Sequence, residues 1–157
     1  MEKDLRDKIV FVCTGNTCRS PMAQVFLENQ IRDIPELIHY TVASAGIHAR
    51  EGQESSPEVQ TVMQKKGLSL KNHHAQLLTQ AIIDHSAAII CATSAHKEFL
   101  KKNFANLPKV CISFSEFGGD VPDPYAGSLE IYGKIADAIE QKLIPIIEFL
   151  RKELDDY

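Results

Sequence analysis

A chain of 157 residues, 44% hydrophobic and 24% charged, has the size and composition of one globular domain with a single sizeable core. Its formal net charge of −4, with no basic block and no interleaving of aromatic and basic residues, excludes the electrostatic footprint of a nucleic-acid binder or a membrane-surface protein. The apolar run after the charged start is too short for a signal peptide or a membrane span, and four cysteines (Cys13, Cys18, Cys91, Cys111) do not make a disulfide scaffold, so reduced thiols and a cytoplasmic setting are expected.

Lys8–Val12 reads as a buried strand. Ser20–Arg32 carries Met22, Val25, Phe26 and Ile31 at helical spacing and is entered through Ser20-Pro21, with proline in the favoured first turn. Tyr40–Ala43 is a short strand ending in Ser-Ala-Gly. The stretch "SSPEVQTVMQKKG" is a helix with a serine cap, an early proline, apolar Val59, Val62 and Met63, and a closing Gly67. Thr79–Asp84 reads as a short helix, Ala87–Ala92 as a buried strand, Ser94–Phe104 as a helix and Lys109–Phe114 as another strand. After the turn-rich "GGDVPDPYAGS", Leu129–Leu154 is a long amphipathic helix that Pro145 should kink or divide. Strands alternating with helices imply βαβ units. The expected fold is therefore α/β: one domain over residues 1–157, with a parallel sheet flanked by helices and a phosphate-binding loop after the first strand.

That loop carries the chemistry. In such sheets ligands bind beyond the carboxyl ends of strands, and Cys13–Arg19 occupies such a position. Gly15 permits a left-handed or close-approach backbone, and Asn16 is the non-glycine residue that best tolerates positive φ. A loop curled this way aims successive N–H groups into one concavity, and the following helix adds its unpaired N–H groups and positive dipole end. Arg19 supplies a planar fork that matches two phosphate oxygens. Cys13 would have its thiolate stabilised by the same groups, with Ser20 as a further donor, and would face a bound phosphoryl group as a nucleophile. Cys-x5-Arg alone arises often by chance. The Walker-type loop is absent, Cys13 and Cys18 lack zinc-ligand spacing, and neither a metal nor a cofactor is expected.

A downstream acid gives the pattern its weight. "DVPDPYAG" places Asp120 and Asp123 in a proline-rigid loop after a strand, and Asp123 sits between two prolines that fix its backbone. Expelling an oxygen or nitrogen leaving group from phosphorus needs a proton donor, and Asp123 is the candidate general acid. Asp-Pro also opens ordinary turns; the pairing with the upstream loop favours the catalytic role.

"VCTGNTCRSP" with a late "DPYAG" resembles the low-molecular-weight protein tyrosine phosphatases, over nearly the whole chain from about Lys8. The resemblance implies Cys13 as nucleophile, Arg19 as phosphate clamp and Asp123 as general acid. It further implies that Asn16, Ser20, Ser44 and His73 are the hydrogen-bond set that props the loop. Thr14, Gly15, Asn16, Thr17, Cys18 and Ser20, with Tyr125 beside the acid, form the expected substrate-binding set, and the partner is a phosphorylated protein. Thr17 stands where tyrosine-specific members generally carry Ile or Leu, and one aromatic residue follows Asp-Pro rather than two. The stretches "GIHAREG" and "ATSAHK" lack the tyrosine branch's aromatic wall and its usual Asp and Asn. In these respects the chain is similar to the family's bacterial protein-arginine phosphatases. The family also implies a protective disulfide between Cys13 and Cys18. Two other readings stand beside it. One is a thioredoxin-coupled arsenate reductase, for which Cys91 and Cys111 would have to act although each falls inside a predicted strand. The other is a module that captures phosphoprotein without turnover.

Overall fold

The computed structural model describes residues 5–154. The expectation of one domain over 1–157 therefore runs, at both ends, outside the described residues.

Four strands form one parallel sheet in the order β2-β1-β3-β4: β1 (Lys8–Cys13), β2 (Thr41–Gly46), β3 (Ser86–Cys91) and β4 (Val110–Ser113). The helices are α1 (Arg19–Ile31), α2 (Pro57–Lys65), α3 (Gln80–Asp84), α4 (Ser94–Asn103) and α5 (Leu129–Glu153). Side chains alternate across a strand, so Ile9, Phe11 and Cys13 of β1 enter the large core against α1, α2 and α5. Val10 and Val12 enter the smaller core with Ile83 of α3 and Leu100 of α4. From β1 the chain moves out to β2, whereas from β3 it moves the other way to β4. The carboxyl ends of β1 and β3 thus flank the point where the strand order reverses, which is where open α/β sheets bind ligands.

Three details differ from expectation. β2 starts at Thr41 and continues through Gly46, which puts Ser44 and Gly46 inside the strand, beside β1. Pro145 does not divide α5, which runs unbroken over 25 residues. Pro145 and Gln141 both lie on the exposed face, so the Gln141 carbonyl left without its helical donor faces water. Ser56 is the residue at the head of α2, as expected, but its side chain makes no capping bond.

Cys91 is fully buried in the smaller core, and Cys111 is half-buried against it. Burial, above all, pushes both thiols up. No helix among the described residues is long and apolar enough to cross a membrane.

Candidate active site

The loop from Cys13 to Arg19 is shaped by where its carbonyls go. The Cys13, Thr14 and Thr17 carbonyls accept from the N–H groups of Ile47 (3.0 Å), His48 (2.9 Å) and Ser56 (3.1 Å), and the Cys18 carbonyl accepts from Met22 (3.1 Å). His73 Nε2 lies 2.7 Å from the Asn16 carbonyl, which can only accept, so Nε2 carries the proton. With these carbonyls tied outward, the N–H groups of Gly15 to Cys18 have no protein partner among the described residues. The free N–H groups at the start of α1 follow directly. This is an anion nest joined to a helix N-terminus.

Asn16 is the residue around which the loop turns. It has φ 58° and is fully buried. Its Oδ1 accepts from the Gln76 N–H at 2.9 Å, and its Nδ2 donates to both Ser20 Oγ and Ser44 Oγ at 2.9 Å. Ser44 passes its own proton to Gln24 Oε1 at 2.6 Å. The left-handed conformation expected of Gly15 or Asn16 thus falls to Asn16. Gly15 does not have positive φ, and a Cβ there would meet only Thr17 Oγ1, at 3.7 Å, an ordinary contact. The close approach expected of Gly15 belongs instead to Gly46 at the end of β2. A Cβ on Gly46 would lie 2.5 Å from the Thr14 carbonyl and 2.9 Å from the Asn16 nitrogen.

The Cys13 sulfur is buried beneath the loop, with Ser20 Oγ 2.9 Å away. Since Ser20 already accepts from Asn16, its proton is available to the sulfur. Arg19 is 6% exposed and donates through Nη1 to the Val121 carbonyl at 3.0 Å, while Nη2 lies 3.9 Å from Asp123 Oδ2. The guanidinium therefore ties the phosphate loop to the acid loop. The structure separates the two acids of that loop. Asp120 Oδ1 accepts from the Ser94 N–H at 2.9 Å and pins the loop to the head of α4. Asp123 accepts from the Tyr125 N–H through Oδ1 at 3.0 Å, and its half-exposed carboxyl reaches into the pocket.

Cys13, Arg19 and Asp123 line one cavity of about 820 Å³, together with Thr14, Gly15, Thr17, Cys18 and Tyr125. Asn16, Ser20, Ser44 and His73 do not line it; they lie behind the loop and hold it. Tyr125 is a rim residue, 83% exposed. Burial first, and then the neighbouring Cys13, push the Cys18 thiol far up. Burial pulls His73 below the usual histidine range.

Several contributors were not picked out from sequence. Gly46 and Gln76 brace the loop. Tyr132 and the head of α2, including Glu58, form the far wall of the cavity. His96 bonds to Thr14 Oγ1 at 2.9 Å. The signal for His96 was present in Thr93-Ser94-Ala95-His96, a capping box in which histidine takes the place usually held by Glu or Gln.

A phosphoryl group seated here would have its oxygens on the loop N–H groups and Arg19, a sulfur beneath it and a carboxyl above its leaving side. Residues 8–156 match the low molecular weight phosphotyrosine protein phosphatase family. The chain belongs to this family. It is a cysteine-dependent protein phosphatase. A protein-arginine phosphatase of Geobacillus stearothermophilus is 35% identical over 93% of this chain and 97% of that protein. The low molecular weight protein-tyrosine phosphatase PtpB of Staphylococcus epidermidis is 33% identical over 85% of this chain and 95% of its own. Among solved structures, a cysteine-to-serine variant of an arginine phosphatase with a phosphorylated active-site serine superposes with a TM-score of 0.83. It is 31% identical, covering 92% of this chain and 96% of that one.

Proposed function

We propose that this phosphatase dephosphorylates arginine side chains of proteins by two in-line displacements at Cys13. Cys13 Sγ forms a bond to phosphorus while the bond from phosphorus to the leaving nitrogen breaks, and the Asp123 carboxyl gives its proton to that nitrogen. Water then attacks phosphocysteine, its proton passes to the Asp123 carboxylate, the S–P bond breaks and inorganic phosphate leaves. Arg19 and the N–H groups of Gly15, Thr17 and Cys18 hold the equatorial oxygens in both steps, where charge spreads as the transition state forms. The observation that carries this reading is the convergence of Cys13, Arg19 and Asp123 on one cavity. The phosphorylated serine in the related arginine phosphatase supports transfer to the loop side chain.

The preference for arginine rests on Thr17, which lines the cavity, and on Tyr125 being the one aromatic residue that follows Asp123-Pro124 at the rim. An isoleucine at 17 would offer a flat phenyl ring more apolar surface. Threonine gives up that surface and adds a hydroxyl, which suits a slender side chain rich in N–H groups. The reduced thiols fit a cytoplasmic protein.

Hydrolysis of p-nitrophenyl phosphate by the purified protein tests the chemistry. Turnover in the parent with none in Cys13→Ser, both folded, is expected. No turnover in the parent would revive the capture module and the reductase. Full activity in Cys13→Ser would overturn the covalent scheme.

A further inference from the structure

His96 does not line the cavity, yet it is 5% exposed and lies in the first turn of α4, just past the carboxyl end of β3, the second strand flanking the binding crevice. Its ring is held at both nitrogens. Nδ1 lies 3.2 Å from the Thr93 backbone nitrogen, a group that can only donate. Nδ1 also lies 3.0 Å from Thr93 Oγ1, and that oxygen accepts from the His96 N–H at 3.2 Å, so its proton is free for the ring. With two donors aimed at it, Nδ1 carries no hydrogen. The ring proton of the neutral histidine therefore sits on Nε2, 2.9 Å from Thr14 Oγ1.

A hydroxyl that accepts from a ring N–H has its own proton left to give elsewhere. Thr14 lines the cavity, one residue after Cys13. The acceptors a phosphorylated side chain brings into that cavity are its phosphoryl oxygens; the guanidino group of phosphoarginine brings donors. We infer that His96 is a positioning residue whose fixed tautomer turns the Thr14 hydroxyl into a donor for a phosphoryl oxygen bound in the loop. Thr14 is then the part that touches the substrate, and His96 acts through it. Burial, aided by the positive Arg19 nearby, depresses His96 to about 4, which keeps the ring neutral; Asp120 and Asp123 oppose that shift, and His48 adds to it.

The inference rests on reading the cavity as the phosphoryl site, and its test is a binding measurement that needs no turnover. Affinity for inorganic phosphate is measured by calorimetry on the parent, Thr14→Val, Thr14→Ser, His96→Phe and the double variant Thr14→Val with His96→Phe. Loss of one hydrogen bond to a charged group weakens binding by roughly tenfold or more, so Thr14→Val and His96→Phe are each expected to lose about that factor. Thr14→Ser is expected to stay within about threefold, since it keeps the hydroxyl. The double variant should lose no more than either single one, because both remove the same interaction. Parent affinity in His96→Phe, or losses that multiply in the double variant, would overturn the proposal. A purely structural histidine would lower stability without this coupling. If His96→Phe does not fold, nitrogen-detected NMR of the parent decides: a proton on Nε2 with bare Nδ1 is expected, and a proton on Nδ1 overturns the inference. Should phosphate bind as expected while Cys13→Ser still turns over, the covalent scheme fails and the role of His96 stands.

Discussion

Asn16 Nδ2 donates to Ser20 Oγ over 2.9 Å, and this bond decides where the Ser20 proton goes. One lone pair of the hydroxyl is occupied by the amide, so the proton is left for the Cys13 sulfur 2.9 Å away. The same device recurs at Ser44, which accepts from Asn16 and donates to Gln24. Ser20→Ala removes one donor to the nucleophile and to the leaving thiolate of the second step. A hydrogen bond to a charged group contributes about 1.5–3 kcal/mol, so kcat should fall roughly 10- to 150-fold in steady-state assays while circular dichroism stays native.

The two acids of the loop should separate cleanly in mutants. Asp123→Ala is expected to lower kcat roughly 10²–10⁴-fold, because the leaving group loses its proton donor. Its effect on thermal unfolding should be small, since the Asp123 carboxyl is half-exposed and stands 3.9 Å from an Arg19 that keeps its bond to the Val121 carbonyl. Asp120→Ala removes the acceptor for the Ser94 N–H at the head of α4 and should cost about 1 kcal/mol of stability by urea titration. A drop in activity at Asp120 as large as that at Asp123 would reverse the assignment.

His96 makes stability pH-dependent in one direction. In the unfolded chain it titrates near 6.5, while in the fold burial holds it near 4. Between those values the unfolded chain binds a proton that the folded chain does not, so stability falls as pH drops from about 6.5 to 4. His73, also depressed by burial, adds the same sign. Urea midpoints measured across this window should decline in the parent and decline less in His96→Phe.

Thr17→Ile should shift selectivity toward the phenyl ring. The ratio of kcat/KM for phosphoarginine over phosphotyrosine peptides is expected to exceed one in the parent and to fall in the variant by roughly tenfold, the worth of a side-chain-sized apolar change in a pocket. A parent that prefers phosphotyrosine, with no shift on substitution, would discard the arginine preference.

Oxidation should be reversible through Cys18. Peroxide oxidises the Cys13 sulfur to sulfenic acid, the Cys18 sulfur attacks it, water leaves and a disulfide forms. Burial holds the Cys18 thiol far up, which makes it a poor first target for peroxide and leaves it the resolving partner. Thiol treatment should restore activity in the parent and much less of it in Cys18→Ser. Equal recovery in both would remove the disulfide from the account.

The parts of this protein that were legible in sequence are those with a local cause. The buried strand into Cys13, the proline-led helix and the Pro-Asp-Pro acid loop each announce themselves within about ten residues. What stayed hidden depends on meetings across the fold. Thr14 and His96 are 82 residues apart, and Asn16 and the Gln76 N–H 60 apart. Gly46 looked like the end of a strand. Only the parallel pairing with β1 reveals that its missing side chain makes room for the loop backbone. Pro145 does not divide α5, because a proline on the exposed face can leave its orphaned carbonyl to solvent.

The loop is short, but its anchors are drawn from distant segments: Ser44 on β2, His73 and Gln76 before α3, His96 on α4 and Val121 after β4. Such a site has high contact order, so each of these chain closures must occur before the last anchor engages. Catalytic competence therefore arrives at the end of folding. In refolding from denaturant, recovery of turnover should coincide with the final burial of the core, with no early species that hydrolyses phosphate esters.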